Sequence, residues 1–184
     1  MKTLVLYTSL TGSTEKYAKD IASAVNGDVF PLKSFKWRNI KDYSIVVYGG
    51  WIQGGTIKGL DKFLQHWDKD LKKKDVIIFS CGMTFPTEEG RHVLIEQNLL
   101  DLYHVRYYQL RGNFDINKLK PIYKFMIQNS IKMIVNDPDA TEDQKALAGI
   151  KDHPIVCYDA PKVEKVISVI RSLEVAPKPE QETK

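Results

Sequence analysis

Thr8-Ser9-Leu10-Thr11-Gly12-Ser13-Thr14 places four hydroxyls besides that of Thr8, and a single glycine, within seven residues. The stretch follows an apolar run and precedes a helical pattern, so its donors would sit at a helix N-terminus, where unpaired N–H groups and the helix dipole favour an anion. Its details restrict which anion. A loop built for a cleavable triphosphate ends in Gly-Lys-Ser/Thr, and no lysine occurs here. A dinucleotide fingerprint needs three spaced glycines, and only Gly12 is present. Neutral donors without a lysine suit a single terminal phosphate held permanently. Serine and threonine also cap helices in most proteins, so the same residues read equally as caps.

Two further stretches gather comparable chemistry: Gly49-Gly50-Trp51-Ile52-Gln53-Gly54-Gly55 and Cys81-Gly82-Met83-Thr84-Phe85. Their glycines allow close backbone approach to a flat ligand. Trp51 and Phe85 offer aromatic contact, with Met83 as a polarisable filler; Trp51 reads otherwise as a loop aromatic or a partner anchor. Cys81 reads as a small buried apolar residue, since nothing near it in sequence would lower its pKa. His66, His92, His104 and His153 form no metal-ligand spacing, and no triad or carboxylate pair is evident. Cys81 and Cys157 make neither a disulfide framework nor a zinc motif, which points to a reduced, cytoplasmic setting.

The elements that must position these residues can be read from the apolar pattern. Thr3 to Thr8, Ser44 to Gly50, Asp75 to Ser80 and His104 to Gly112 are strand-like, and Asp28 to Leu32 is a weaker fifth. The middle two are apolar nearly throughout, as parallel strands covered on both faces are. Helical stripes lie between them: Tyr17 to Val25, closed by Asn26-Gly27; Ile57 to Leu71; Thr87 to Leu102; and Val163 to Leu173. The alternation predicts an α/β fold, a doubly wound sheet of five parallel strands in the order 2-1-3-4-5 with helices on both faces and ligands beyond the C-terminal strand ends. One domain over residues 1–175 is expected, with a helical insert at 111–150 after strand five and a disordered Pro-rich tail at 176–184.

Composition agrees. A chain of 184 residues, 43% hydrophobic and 27% charged, is an ordinary globular domain and not a collagen-like, disordered or disulfide-stapled one. MKTLVLYTS reads as a first strand and not as a leader. No apolar stretch approaches the roughly 20 residues needed to span a bilayer. The net charge of +4 equals the excess between Arg111 and Ile134, where five basic residues face Asp115 alone. Such a local excess is not the broad basic field of a nucleic-acid binder.

Ser9-Leu10-Thr11-Gly12-Ser13-Thr14 resembles the flavodoxin phosphate loop: hydroxyl, any residue, Thr, Gly, any residue, Thr. YGGWIQGG (Tyr48 to Gly55) and FSCGMTFP (Phe79 to Pro86) resemble that family's second and third flavin loops. The resemblance implies FMN, with phosphate on Ser9 to Thr14 and the ring held by Gly50, Trp51, Ile52, Gln53, Gly54 and Gly55 on one side and Cys81, Gly82, Met83, Thr84 and Phe85 on the other. In flavodoxins a glycine peptide of the second loop can turn to donate to the reduced flavin, a part open here to Gly54 or Gly55.

The insert carries a narrower resemblance. Leu119, Ile122, Tyr123, Met126, Ser130, Met133 and Ile134 make a helical stripe, broadened by Phe125, Ile127, Ile131 and Val135 and flanked by Lys118, Lys120, Lys124 and Lys132. A basic amphipathic helix of this kind meets an anionic surface, a partner or the site mouth, or packs on the sheet with its lysines snorkelling. LRGNFD with KPIYKFMIQNSIKM resembles the insert of flavodoxin-like, menaquinone-dependent protoporphyrinogen dehydrogenases, although Cys157-Tyr158-Asp159-Ala160-Pro161 lacks the tryptophan found before the last helix in that group. This resemblance implies an FMN oxidoreductase, with a quinone or a porphyrinogen-type molecule as partner and peripheral contact of the 116–135 helix with the inner membrane face. The competing expectation is a flavodoxin-type one-electron carrier serving redox partner proteins. Such carriers are usually acidic, and this chain is basic.

Overall fold

Apolar runs of five or six residues, flanked by helices of opposite polarity, leave the central strands one stable place: the middle of a covered sheet. The computed structural model describes residues 1–83, 87–113, 115–140, 145, 149 and 156–175. In chain order its elements are β1 (Thr3–Thr8), α1 (Ser13–Ala24), β2 (Asp28–Pro31), β3 (Ile45–Gln53), β4 (Thr56–Ile57), α2 (Leu60–Leu64), β5 (Asp75–Gly82), α3 (Glu88–Gln97), β6 (Arg106–Arg111), α4 (Pro121–Val135) and α5 (Ala160–Val175). Five parallel strands run in the order β2-β1-β3-β5-β6, and β4 pairs antiparallel with the end of β3. The predicted α/β, doubly wound order is the observed one.

Two cores flank the sheet. Val5, Val47, Ile77 and Phe79 meet Tyr17, Ile21, Val163, Val166 and Ile170 of α1 and α5 on one face. Leu4, Leu6, Val46 and Ile78 meet Leu60, Phe63, Leu71, Leu94 and Leu100 on the other. Both faces of the inner strands are therefore dry, which is why these runs do not alternate.

The helix expected over Ile57 to Leu71 is corrected. Ile57 belongs to β4, Gly59 turns the chain at φ +81, α2 spans five residues, and Trp67–Leu71 forms a separate π turn in which Leu71 N–H donates to the His66 carbonyl. The stripe expected from Thr87 to Leu102 is likewise divided into α3 and a 3-10 turn at Leu100–Leu102. The insert helix is present as α4 but does not pack on the sheet; none of its residues is buried. Most of 141–155, the tail at 176–184, and Thr84 and Phe85 lie outside the described residues.

Two side chains cover the outer rim of β6, the last strand of the sheet. Lys162 Nζ donates to the Gln109 carbonyl at 3.1 Å, and the Tyr17 hydroxyl donates to the Arg111 carbonyl. Open strand edges invite pairing with another chain, and both contacts blunt this one.

Candidate functional site

Strand register brings the three glycine- and hydroxyl-bearing loops to one end of the sheet. Thr8 of β1 lies beside Gly50 of β3, Trp51 beside Cys81 of β5, and Gly82 beside Arg111 of β6. Beyond these ends opens a cavity of about 280 Å³.

The first loop is shaped by Gly12, which takes φ +94 at the N-cap of α1. An L side chain there would be strained, and glycine has none with which to cap. No side-chain hydrogen bond caps α1. Ser9 Oγ accepts from the Gly12 N–H at 3.1 Å, closing the loop on itself, while Ser13 Oγ donates to the Asn113 carbonyl at 3.0 Å. The capping reading is thereby removed: the hydroxyls lie around the helix start without satisfying its first N–H groups. Leu10, Thr11, Ser13 and Thr14 line the cavity, whereas Ser9 and Gly12 shape the loop behind it.

The second loop is a tight reversal between β3 and β4, with Gly54 at φ +55 and Gly55 at φ +79. Two successive positive φ values are what a two-residue hairpin with the native twist requires. Trp51, Ile52, Gln53 and Gly54 line the cavity. Gly50 and Gly55 do not: a Cβ on Gly50 would stand 2.8 Å from the Lys58 carbonyl, and one on Gly55 would run into the Gln97 amide. A Cβ on Gly54 would meet nothing within 4 Å. The hairpin is held from behind by Asn98, whose Oδ1 accepts from the Ile57 N–H and whose Nδ2 donates to the Gly55 carbonyl, each at 2.8 Å.

From the third loop, Cys81, Gly82 and Met83 line the cavity; Thr84 and Phe85 fall outside the described residues. Cys81 is 5% exposed, and burial pushes its thiol up to about 12 against the pull of a hydrogen bond from Thr14. It is a packing residue and not a nucleophile.

The expected residues are not the whole lining. Gly112 and Asn113, after β6, close one side, and Leu119, Tyr123, Met126, Ile127 and Ser130 bring the inner face of the insert over the mouth. Gly112 has to be small, because a Cβ there would strike the Cys81 sulfur and stand 3.1 Å from Ser13 Cβ. Asn113 joins separate segments: its carbonyl accepts from Ser13, and its Oδ1 accepts from the Cys157 N–H at 2.6 Å. Ile116, Leu119, Leu10, Met83, Tyr123 and Ile127 form a small apolar cluster that seats α4 on the loops. Of the places read for the insert helix in the sequence, an anionic surface, a partner, the site mouth or the sheet, the structure brings it to the site mouth. No Asp, Glu, Lys, Arg or His appears among the described residues lining the cavity.

The flavodoxin domain model matches residues 4–141. The chain belongs to the flavodoxin family. A flavodoxin domain implies a flavin cofactor, typically FMN. It is 34% identical over 87 residues to an uncharacterised protein of Methanocaldococcus jannaschii, a match that takes in 46% of the chain and 57% of that relative. The chain thus spans little more than half the length of the curated relative it matches. Among solved structures it resembles oxidised flavodoxin 2 from Bacillus cereus at 16% identity, covering 81% of this chain and 94% of the other, TM-score 0.47. It also resembles a flavodoxin from the domain Archaea at 18% identity, covering 89% and 99%, TM-score 0.40. Among the described residues no helix is long and apolar enough to cross a membrane, and no group of His, Cys, Asp and Glu could hold a metal.

Proposed function

We propose that this chain binds FMN in the cavity and acts as an oxidoreductase toward a small, lipophilic electron partner, in the manner of the flavodoxin-like protoporphyrinogen dehydrogenases that hand electrons to a quinone. The observation that carries this reading is α4: an insert helix lies over the cavity mouth with Tyr123, Met126 and Ile127 facing in beside Leu119, and the described lining holds no charge. A carrier that docks on proteins works through an open flavin edge; a roofed apolar chamber serves a molecule that enters.

The residues fit the cofactor. Thr11, Ser13 and the uncapped N-terminus of α1 would hold the phosphate without a cation. Trp51, Met83 and Tyr123 would supply walls for the ring, and Gly54, which lines the cavity while the Gly55 carbonyl is held by Asn98, is the better placed glycine to turn its peptide toward the ring. FMN supplies the electron and hydride chemistry when bound. The chain's part is to orient the ring and to keep water out, and burial keeps the Cys81 thiol protonated near neutral pH.

An uncharged lining selects against ligands that must bury carboxylates, since an unpaired charge is costly to desolvate. The carboxylates of a porphyrinogen-type donor would therefore remain outside, toward Lys120 and Lys124 at the start of α4. The outer face of α4 exposes Ile122, Phe125, Met133 and Val135, each more than 60% accessible, on a helix with lysines and no acidic residue. This face suits the surface of an anionic bilayer, from which a lipophilic partner would come.

A cavity with no acid or base among its described lining residues is also what a one-electron carrier needs, and this keeps carrier function as the second reading. Anaerobic reduction of the FMN-loaded protein decides between them. Two-electron reduction and rapid reoxidation by a lipophilic quinone support the enzyme. One-electron exchange with a protein acceptor, and none with quinone, supports the carrier. A protein that stays colourless with added FMN defeats both.

A further inference from the structure

Ser13, at the start of α1, gives its one hydroxyl proton to the insert: its Oγ donates to the Asn113 carbonyl at 3.0 Å, and both residues line the cavity. We propose that Asn113 is a positioning residue that couples the phosphate end of the cavity to its roof. The Ser13 proton serves either the Asn113 carbonyl, which latches the insert, or an incoming phosphate, which releases it. The inference rests on the reading that FMN lies in this cavity with its phosphate at the start of α1.

A serine hydroxyl carries a single O–H donor, whereas a carbonyl and the oxygens of an ionised phosphate only accept. Ser13 therefore cannot serve both at once. A hydrogen bond to an ionised acceptor is roughly twice as strong as one between neutral groups, so the phosphate takes the proton. The dipole of α1 adds to that preference, because Ser13 is the first residue of the helix.

Asn113 is placed to pass the change on. The residue before it is fixed: Gly112 N–H donates to the Gly82 carbonyl at 2.8 Å, and a Cβ on Gly112 would strike the Cys81 sulfur. The Asn113 side chain reaches to a residue 44 positions away, where its Oδ1 accepts from the Cys157 N–H at 2.6 Å. Among the described residues, Asn113 is the one place between 113 and 135 at which a hydrogen bond leaves the insert. Beyond it the roof is seated through apolar contact, in the cluster that includes Leu119 and Ile127, and no residue of α4 is buried. Apolar contact is non-directional, so a helix held by it can shift without leaving a polar group unpaired. A chain loaded with phosphate is thus the one whose roof yields, and the lipophilic partner is admitted after the cofactor and not before it.

Amide hydrogen exchange of the full chain, followed by NMR, tests the latch. Cys157 N–H should exchange about fivefold faster in the FMN complex than in the riboflavin complex, the worth of the one neutral hydrogen bond given up. Inorganic phosphate, set against chloride at equal ionic strength, should quicken the same amide in the flavin-free chain. Ser13→Ala should start at the fast rate and show no difference between the two flavins. In the riboflavin complex Asn113→Ala should lose the protection, and Asn113→Asp, which keeps the acceptor oxygen, should recover it, a rescue that restored bulk alone would not produce. Equal rates with riboflavin and FMN in the native chain, or a difference that persists in Ser13→Ala, overturns the proposal. A chain that takes up neither flavin defeats the proposed cofactor instead, and the response to inorganic phosphate then decides whether the latch exists.

Discussion

The ring of Tyr123 stands edge-on to the indole of Trp51, with centroids 6.0 Å apart and planes at 87°. One belongs to the insert helix and the other to the end of β3, so this contact ties the roof of the cavity to its wall. Aromatic pairs of this geometry are worth about 0.5–1.5 kcal/mol beyond the area they bury.

Both rings should report on the flavin. Tyr123→Leu and Trp51→Leu are each expected to weaken FMN binding by up to about tenfold, the loss of one aromatic contact. Stacked aromatics quench flavin emission, so fluorescence of the bound cofactor should rise in both variants. Unchanged emission in Tyr123→Leu would mean that α4 does not face the ring.

The phosphate loop can be tested against a ligand that lacks the phosphate. Thr11→Ala removes one hydrogen bond to a charged acceptor, about 1.5–3 kcal/mol, and FMN affinity should fall by about ten- to a hundredfold. Riboflavin affinity should be unchanged. An equal loss for both ligands would place Thr11 at the ring instead.

Tyr17 is a clamp. Its hydroxyl donates to the Arg111 carbonyl and accepts from the Asp159 N–H at 2.7 Å, while its ring stacks on Tyr158 at 5.0 Å. Tyr17→Phe keeps the stack and leaves two partly buried backbone groups unpaired, each worth about 1–3 kcal/mol. Urea unfolding should show a loss in that range or above. A variant as stable as the native chain would show that water replaces the hydroxyl at no cost.

Alkaline pH should unfold this protein earlier than its acids and lysines would suggest. Burial pushes the Cys81 thiol from 9.0 up to about 12 and the Tyr107 phenol from 10.0 up to about 12. The folded chain holds these protons more tightly than the unfolded one. The stability they confer is therefore complete below pH 9.0 and is lost progressively as pH climbs toward the folded values. Melting temperatures taken stepwise into the alkaline range should decline from that point, and a thiol reagent should modify Cys157 well before Cys81. A flat melting profile would contradict the shifts.

The outer face of α4 makes a separate prediction. Vesicles of phosphatidylglycerol should sediment the chain, vesicles of phosphatidylcholine should not, and salt should release it, because the lysines act through a screened field. Phe125→Glu with Met133→Glu should abolish sedimentation and leave FMN binding intact. Binding that survives both changes would move the contact elsewhere.

Much of this was legible in the residues. β3 and β5 announce themselves because a strand covered on both faces has no polar phase to interrupt it, and the order of the loops follows from the alternation of elements. The region after β3 was not. Leu60, Phe63, Leu64, Trp67 and Leu71 have helical spacing, yet the backbone slips into a π turn, and apolar spacing alone cannot tell one register from the other. Gly54-Gly55 between Gln53 and Thr56 was a hairpin signal that helix periodicity obscured. That the stripe of α4 covers the site mouth was one of several places open to it in the sequence. A stripe shows that a helix has an apolar face, but only the tertiary fold shows what that face covers.

The Tyr17 hydroxyl has a consequence for how such a chain could change over time. By holding the Arg111 carbonyl and the Asp159 N–H together, it brings the point where the insert leaves the sheet within one side chain of the point where it returns. Everything between them is a cassette with its ends already joined. Loop-closure entropy rises only slowly with length, so the cassette can be shortened, lengthened or exchanged for another at little expense to the sheet. The same doubly wound frame could thus be refitted with a different roof, and with it a different clientele, while α1 continues to mark the seam.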